Sequence, residues 1–112
     1  MIAATNYIFH FFGEGSGASG TESPEFHNHN CTDLTLEVKG GAGGFPFVVK
    51  GMVDLDGEPQ WNALAIINLG DFSVTDKIEK DGVYAIGVGG IQRIKVVAEA
   101  ASQATVTGKF GG

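Results

Sequence analysis

The sequence predicts an all-β protein, an antiparallel β-sandwich of about eight short strands, immunoglobulin-like or jelly-roll-like in type. Three observations predict it. Segment 33–39 (DLTLEVK) alternates apolar and polar residues with the period of two that a strand with one wet face requires. Glycine-rich turn signals recur roughly every 8–12 residues along the chain. Glycine makes up 18 of the 112 residues, and helix-building stretches are few. A chain of this length has room for one domain, spanning 1–112, and can bury roughly two-thirds of its unfolded surface without staples.

Each element follows from local pattern. Residues 6–12 read as a strand with Tyr7, Phe9 and Phe11 on one face. Residues 13–24 are rich in Gly, Ser and Thr and predict a long loop. Residues 25–32 are polar and suggest at most a short strand. In 33–39, Leu34, Leu36 and Val38 face inward. The glycine-rich stretch 40–44 (GGAGG) predicts a turn, and 45–55 a longer strand with Pro46 marking an edge or a strand end. Asp56-Gly57 signals a hairpin, because glycine accepts the positive φ that such turns need. The apolar run 63–69 and residues 72–78 read as two further strands, broken at Gly70-Asp71. Strands at 83–88 and 91–98 flank Gly89-Gly90, residues 98–104 suit a helical turn too short to stand alone, and 105–110 is the last strand.

Charge and composition exclude several function classes. The formal net charge is −6. That balance disfavours nucleic acid, whose affinity comes mostly from Lys and Arg neutralising phosphates, and it disfavours anionic membrane surfaces. No stretch reaches the roughly 20 apolar residues of a membrane helix. Cys31 is the sole cysteine, so no intrachain disulfide forms. The first residues lack the basic start and apolar run of a secretion signal, which predicts maturation in a reducing cytoplasm.

Four groups of residues bear chemistry. His27, His29, Cys31 and Asp33 alternate and would lie on one side of an extended segment. They are ligand types for a transition metal, but a straight strand supplies two ligands at most; the plain reading is a polar edge segment with an unreactive thiol. Asp54, Asp56 and Glu58 offer alternating acidic oxygens without the spacing of a calcium loop, so a solvated acidic hairpin is expected. Trp61, Tyr84 and Tyr7 would make a sugar-stacking platform if exposed; core packing is the commoner fate of a lone tryptophan in a sandwich. Arg93 and Lys95 share a strand face and suit either solvent or a neighbouring acidic chain. No nucleophile elbow, phosphate loop or catalytic cysteine context is present, so no enzyme activity and no cofactor are expected.

The order of segments from Asp33 onward carries a resemblance: DLTLEV, a glycine-rich turn, FPFVVKGMVDLDG, Trp61, ALAIINL, DGVYAIGVGGIQRIKVVAEA and a closing ATVTGKF. This order resembles small β-sandwich structural proteins of tailed bacteriophages, found on virions as head-decoration (cement) or fibre-associated modules. Glu58, Pro59 and Gln60 lengthen the link to Trp61, and the HNHNC segment and aromatic first strand stand outside the resemblance. The resemblance implies a non-enzymatic virion component assembled in the host cytoplasm, most specifically a homotrimeric capsid-decoration protein bound to the major capsid protein or another virion protein. A carbohydrate- or receptor-binding module of a tail or head fibre is the alternative. Tyr7, Phe9, Phe11, Phe12, Arg93 and Lys95 are the expected interface residues, and segment 1–25 is expected to serve subunit contacts, since open sheet edges must be shielded or used.

Overall fold

The computed structural model describes residues 8–13, 20–41, 43–54, 56–100 and 104–111. Among them run ten strands and no helix: β1 (Ile8–Phe12), β2 (Phe26–His27), β3 (Asp33–Lys39), β4 (Phe47–Val53), β5 (Gln60–Ala63), β6 (Ile66–Asn68), β7 (Val74–Thr75), β8 (Gly82–Gly87), β9 (Arg93–Ala98) and β10 (Thr105–Gly111). They form a six-stranded sheet, β1-β10-β3-β8-β6-β7, and a four-stranded sheet, β2-β9-β4-β5. All strand pairs are antiparallel. The predicted β-sandwich is the observed fold.

The alternation in β3 does what the sequence asks of it. Leu34, Leu36 and Val38 are buried and their neighbours exposed. β10 and β8 flank β3 and set Phe110 and Ile86 beside Leu34, and Val106 beside Val38. The opposing sheet contributes Phe47, Val49, Ile94 and Val96, all fully buried. Burying side chains of this size stabilises the fold by roughly 1.5–3 kcal/mol each.

Strand β1 departs from simple alternation. A bulge between His10 and Phe12 shifts its register on β10, so Phe11 and Phe12 both turn inward. The Phe11 ring lies over Gly108, where an added Cβ would sit 2.6 Å from that ring and 2.9 Å from Leu36. Phe26, on the other sheet, closes the layer edge at 5.1 Å from Phe9 and 4.9 Å from Phe11, centroid to centroid.

Several segments differ from the sequence reading, in part because the chain changes sheet. The turn 40–44 joins β3 in one sheet to β4 in the other. The Asp81 carboxylate holds it in place by accepting the Gly40 and Gly41 N–H groups at 2.9 Å. Strand β4 begins at Phe47, after a cis Phe45–Pro46 bond, and Leu55 lies outside the described residues. The run 63–69 splits into the end of β5 and the separate strand β6, which belong to different sheets. Only Val74–Thr75 of 72–78 is a strand; Phe72 stands in the turn before it, and Ile78 is buried and bridges Phe47. The helical turn expected over 98–104 falls partly on residues outside those described, and 98 closes β9.

Candidate interaction surfaces

The sequence-derived candidates fall in quite different places. Phe11 and Phe12 are core residues, 0% and 6% exposed, so their aromatic area is consumed inside the chain and offers nothing to a partner. Phe9 is partly buried against Phe26 and Phe110. Tyr7 lies outside the described residues. Arg93 and Lys95 do share an outer face, described below.

The His27-His29-Cys31-Asp33 row does not form. His29 and Asn30 adopt positive φ, 53° and 64°, and reverse the chain. The His27 and His29 rings meet at 4.5 Å, centroid to centroid, tilted by 45°, and Cys31 packs beside the core. No group of three or more His, Cys, Asp or Glu residues is placed to hold a metal ion among the described residues. The residue that organises this turn is Asn28, which sequence reasoning passed over. It is 2% exposed, and its amide nitrogen donates to the carbonyls of Cys31, Val88 and Ile91 at 2.9 Å each. A polar residue flanked by two histidines gives no sign of such a role, because two of its three partners are about sixty residues away.

The acidic run 54–58 caps its own hairpin. Asp54 accepts the Gly57 N–H at 2.7 Å and Asp56 accepts the Glu58 N–H at 3.4 Å. Those carboxylates serve the turn, as the solvated-hairpin reading expects. Tyr84 cannot belong to a sugar platform: it is 2% exposed on the inner face, and its hydroxyl donates to the Lys80 carbonyl at 2.5 Å. Burial first, and the nearby Asp81 and Asp71 charges second, hold its pKa above the ordinary 10.0.

Two outer faces remain, and they are unlike. The first lies at one end of the six-stranded sheet. Ile67 pairs with Val74 on one side and Ala85 on the other, and Leu69 bonds to the Val83 carbonyl. Alternation therefore puts Ile67, Leu69, Val74 and Val83 on the solvent side. All four are exposed, and Phe72, in the β6–β7 turn, is 75% exposed. Phe72 holds φ at 60°, uncommon for a bulky residue. Asp71 supports that turn by accepting both the N–H and the hydroxyl of Ser73, at 2.9 and 2.7 Å. These bonds, the backbone one foremost, lower the Asp71 pKa below its ordinary 3.8.

The second is the outer face of the four-stranded sheet. Register sets His27, Arg93, Met52 and Trp61 in one row across β2, β9, β4 and β5, with Lys95, Lys50 and Ala63 in the next. Trp61 is thus on an outer face at a sheet edge and partly exposed, against the expectation of core packing. The Lys95 ammonium sits 4.5 Å from its ring centroid and 3.1 Å from the Glu22 carboxylate.

The molecule so described is a two-sheet antiparallel sandwich with an apolar outer end on one sheet and a cationic, aromatic outer face on the other. No protein family and no curated protein matches the sequence. Two of the solved structures that share its fold align with nearly all of this chain. One is the SPBc2 prophage-derived protein YomS, 22% identical, with a TM-score of 0.72 over 93% of this chain and 90% of that one. The other is the PBSX exported protein XepA, 17% identical, with a TM-score of 0.76 over 93% of this chain. This chain spans 37% of the length of XepA, so XepA carries a comparable sandwich within a larger protein.

Proposed function

We propose that this protein is a structural component of a phage particle that acts by protein–protein contact, without catalysis, and in its most specific form a capsid-decoration protein assembled as a homotrimer on the major capsid protein. The fold shared with two proteins described as prophage-derived or PBSX-exported supports a phage setting. The observation that carries the reading is the apolar end of the six-stranded sheet, where Phe72 and Val74 are 75% and 69% exposed beside Ile67, Leu69 and Val83. A contiguous exposed apolar patch on an otherwise acidic protein marks a surface that another protein covers. The two-residue strand β7 leaves that patch at an open sheet edge, where a further strand or subunit can dock.

Cementing follows mechanically. Each decoration oligomer covers the junction between neighbouring capsid subunits, and an interface of roughly 1,600 Å² in total suffices for specific attachment. The test is co-sedimentation of the purified protein with phage heads assembled without it. Saturable binding at a fixed ratio to the capsid subunit, lost in Phe72→Asp/Val74→Asp, is the expected result. Heads that sediment free of the protein would overturn the decoration role.

A further inference from the structure

We propose that the outer face of the four-stranded sheet is a binding site for an acidic polysaccharide, with a sugar ring on Trp61 and the acid groups on Lys50 and Arg93. This goes beyond the assembly role, since it uses the opposite sheet and none of the residues of the apolar end.

Charge complementarity selects the ligand. The whole chain holds seven Lys and Arg residues and carries a net charge of −6. Three of those seven, Lys50, Arg93 and Lys95, nevertheless sit on this one face. Glu22 neutralises Lys95, whereas Lys50 and Arg93 form no ion pair among the described residues. Lys50 and Lys95 are also direct cross-strand partners. Like charges directly opposite on a sheet are unfavourable, and strands lie only about 4.8 Å apart. The isolated fold gains nothing from that pairing. Glu22 and the Trp61 ring already take up the Lys95 ammonium, so Lys50 and Arg93 are the cations left to meet an anion.

Trp61 decides between classes of anion. Its indole lies at the edge of the cationic patch, on strand β5, with Lys95 against one side of the ring. A flat aromatic beside unpaired cations matches a sugar ring that bears a carboxylate or phosphate: the C–H face stacks on the indole and the acid meets the cations. The guanidinium of Arg93 adds bidentate geometry toward carboxylate or phosphate oxygens.

Trp61 is the only tryptophan in the chain, so its fluorescence reports on this face alone. The protein is titrated with polygalacturonate, a phosphorylated mannan, neutral dextran and polyglutamate. Expected is a saturable Trp61 response to at least one acidic sugar polymer, weaker by about tenfold or more for dextran and polyglutamate and fading as salt rises. Lys50→Glu and Arg93→Glu should each weaken it roughly tenfold, with an unchanged thermal midpoint certifying the fold. No Trp61 response to either acidic polysaccharide overturns the proposal. A polyglutamate response equal to that of the sugars also overturns it, because the face would then be reading charge alone, as an acidic protein partner would supply it.

Discussion

The two sheets are built alike on the inside and differently on the outside. Leu36 and Tyr84 on one inner face and Val49 and Val96 on the other perform the same task, filling a dry layer, and their identities say little about what the molecule does. The outer faces part company. The six-stranded sheet ends in Phe72, Val74 and Ile67, while the four-stranded sheet presents Trp61, Lys50 and Arg93. The difference teaches that burial explains the fold and exposure carries the function. An apolar side chain left in water is a cost that a lone sandwich has no reason to bear, and Lys50 and Arg93 stand on the other outer face without an ion pair among the described residues.

Substitution of matched residues tests that division, beginning with the largest effect. Phe11→Ala should destabilise the protein by about 4 kcal/mol, because it empties a fully buried site over Gly108. Phe72→Ala should change monomer stability by less than about 0.5 kcal/mol, since little of its ring is packed. Urea unfolding of the two variants reads the contrast directly; equal losses would erase the distinction between the two phenylalanines.

Asn28→Ala comes next. It strips three carbonyls of one shared donor and should cost about 2 kcal/mol, with faster amide exchange across the 28–31 turn. Tyr84→Phe removes the bond to the Lys80 carbonyl and should cost about 1 kcal/mol. It should also remove a pH dependence. The folded-state pKa of Tyr84 is raised, so its contribution is full below pH 10.0 and is lost as pH climbs through the folded-state value. A stability–pH curve for wild type that bends downward above pH 10.0, against a straighter one for Tyr84→Phe, is the expected outcome.

The smallest effect is at acid pH. The folded-state pKa of Asp71 is depressed, so its support of the Phe72 turn is present above pH 3.8 and is lost as pH falls through the lower folded-state value. Exchange of the Ser73 amide should quicken in that window, ahead of amides in β3. Uniform protection down to global acid unfolding would show that the carboxylate does not hold the turn.

How much of this was legible in the sequence depends on the range of the interaction. Alternation in 33–39 and the Asp56-Gly57 turn are local: β3 stands at 33–39 as its alternation predicts, and the turn joins two paired strands, although β4 starts only at Phe47 and β5 covers Gln60–Ala63. The bulge in β1 is not visible locally, because it follows from how Phe11 and Phe12 fit over β10. Nor is the sheet change inside 63–69, where an apolar run serves two sheets in succession. The cationic face is the clearest case. Arg93 and Lys95 were legible as a pair on one strand, but Lys50 and Trp61 join them only through a register that spans β4, β5 and β9. Trp61 was expected in the core because a lone tryptophan usually is. Its place on β5, opposite Met52 at the sheet edge, turns it outward instead.

The solution mass of the native protein, measured by light scattering beside that of Phe72→Asp/Val74→Asp, tests the central claim most directly. The assembly account predicts a defined oligomer for the wild type and a folded monomer for the variant, with the four-stranded sheet untouched in both. A wild type that is monomeric at every concentration, or a variant that keeps the oligomer intact, would contradict it.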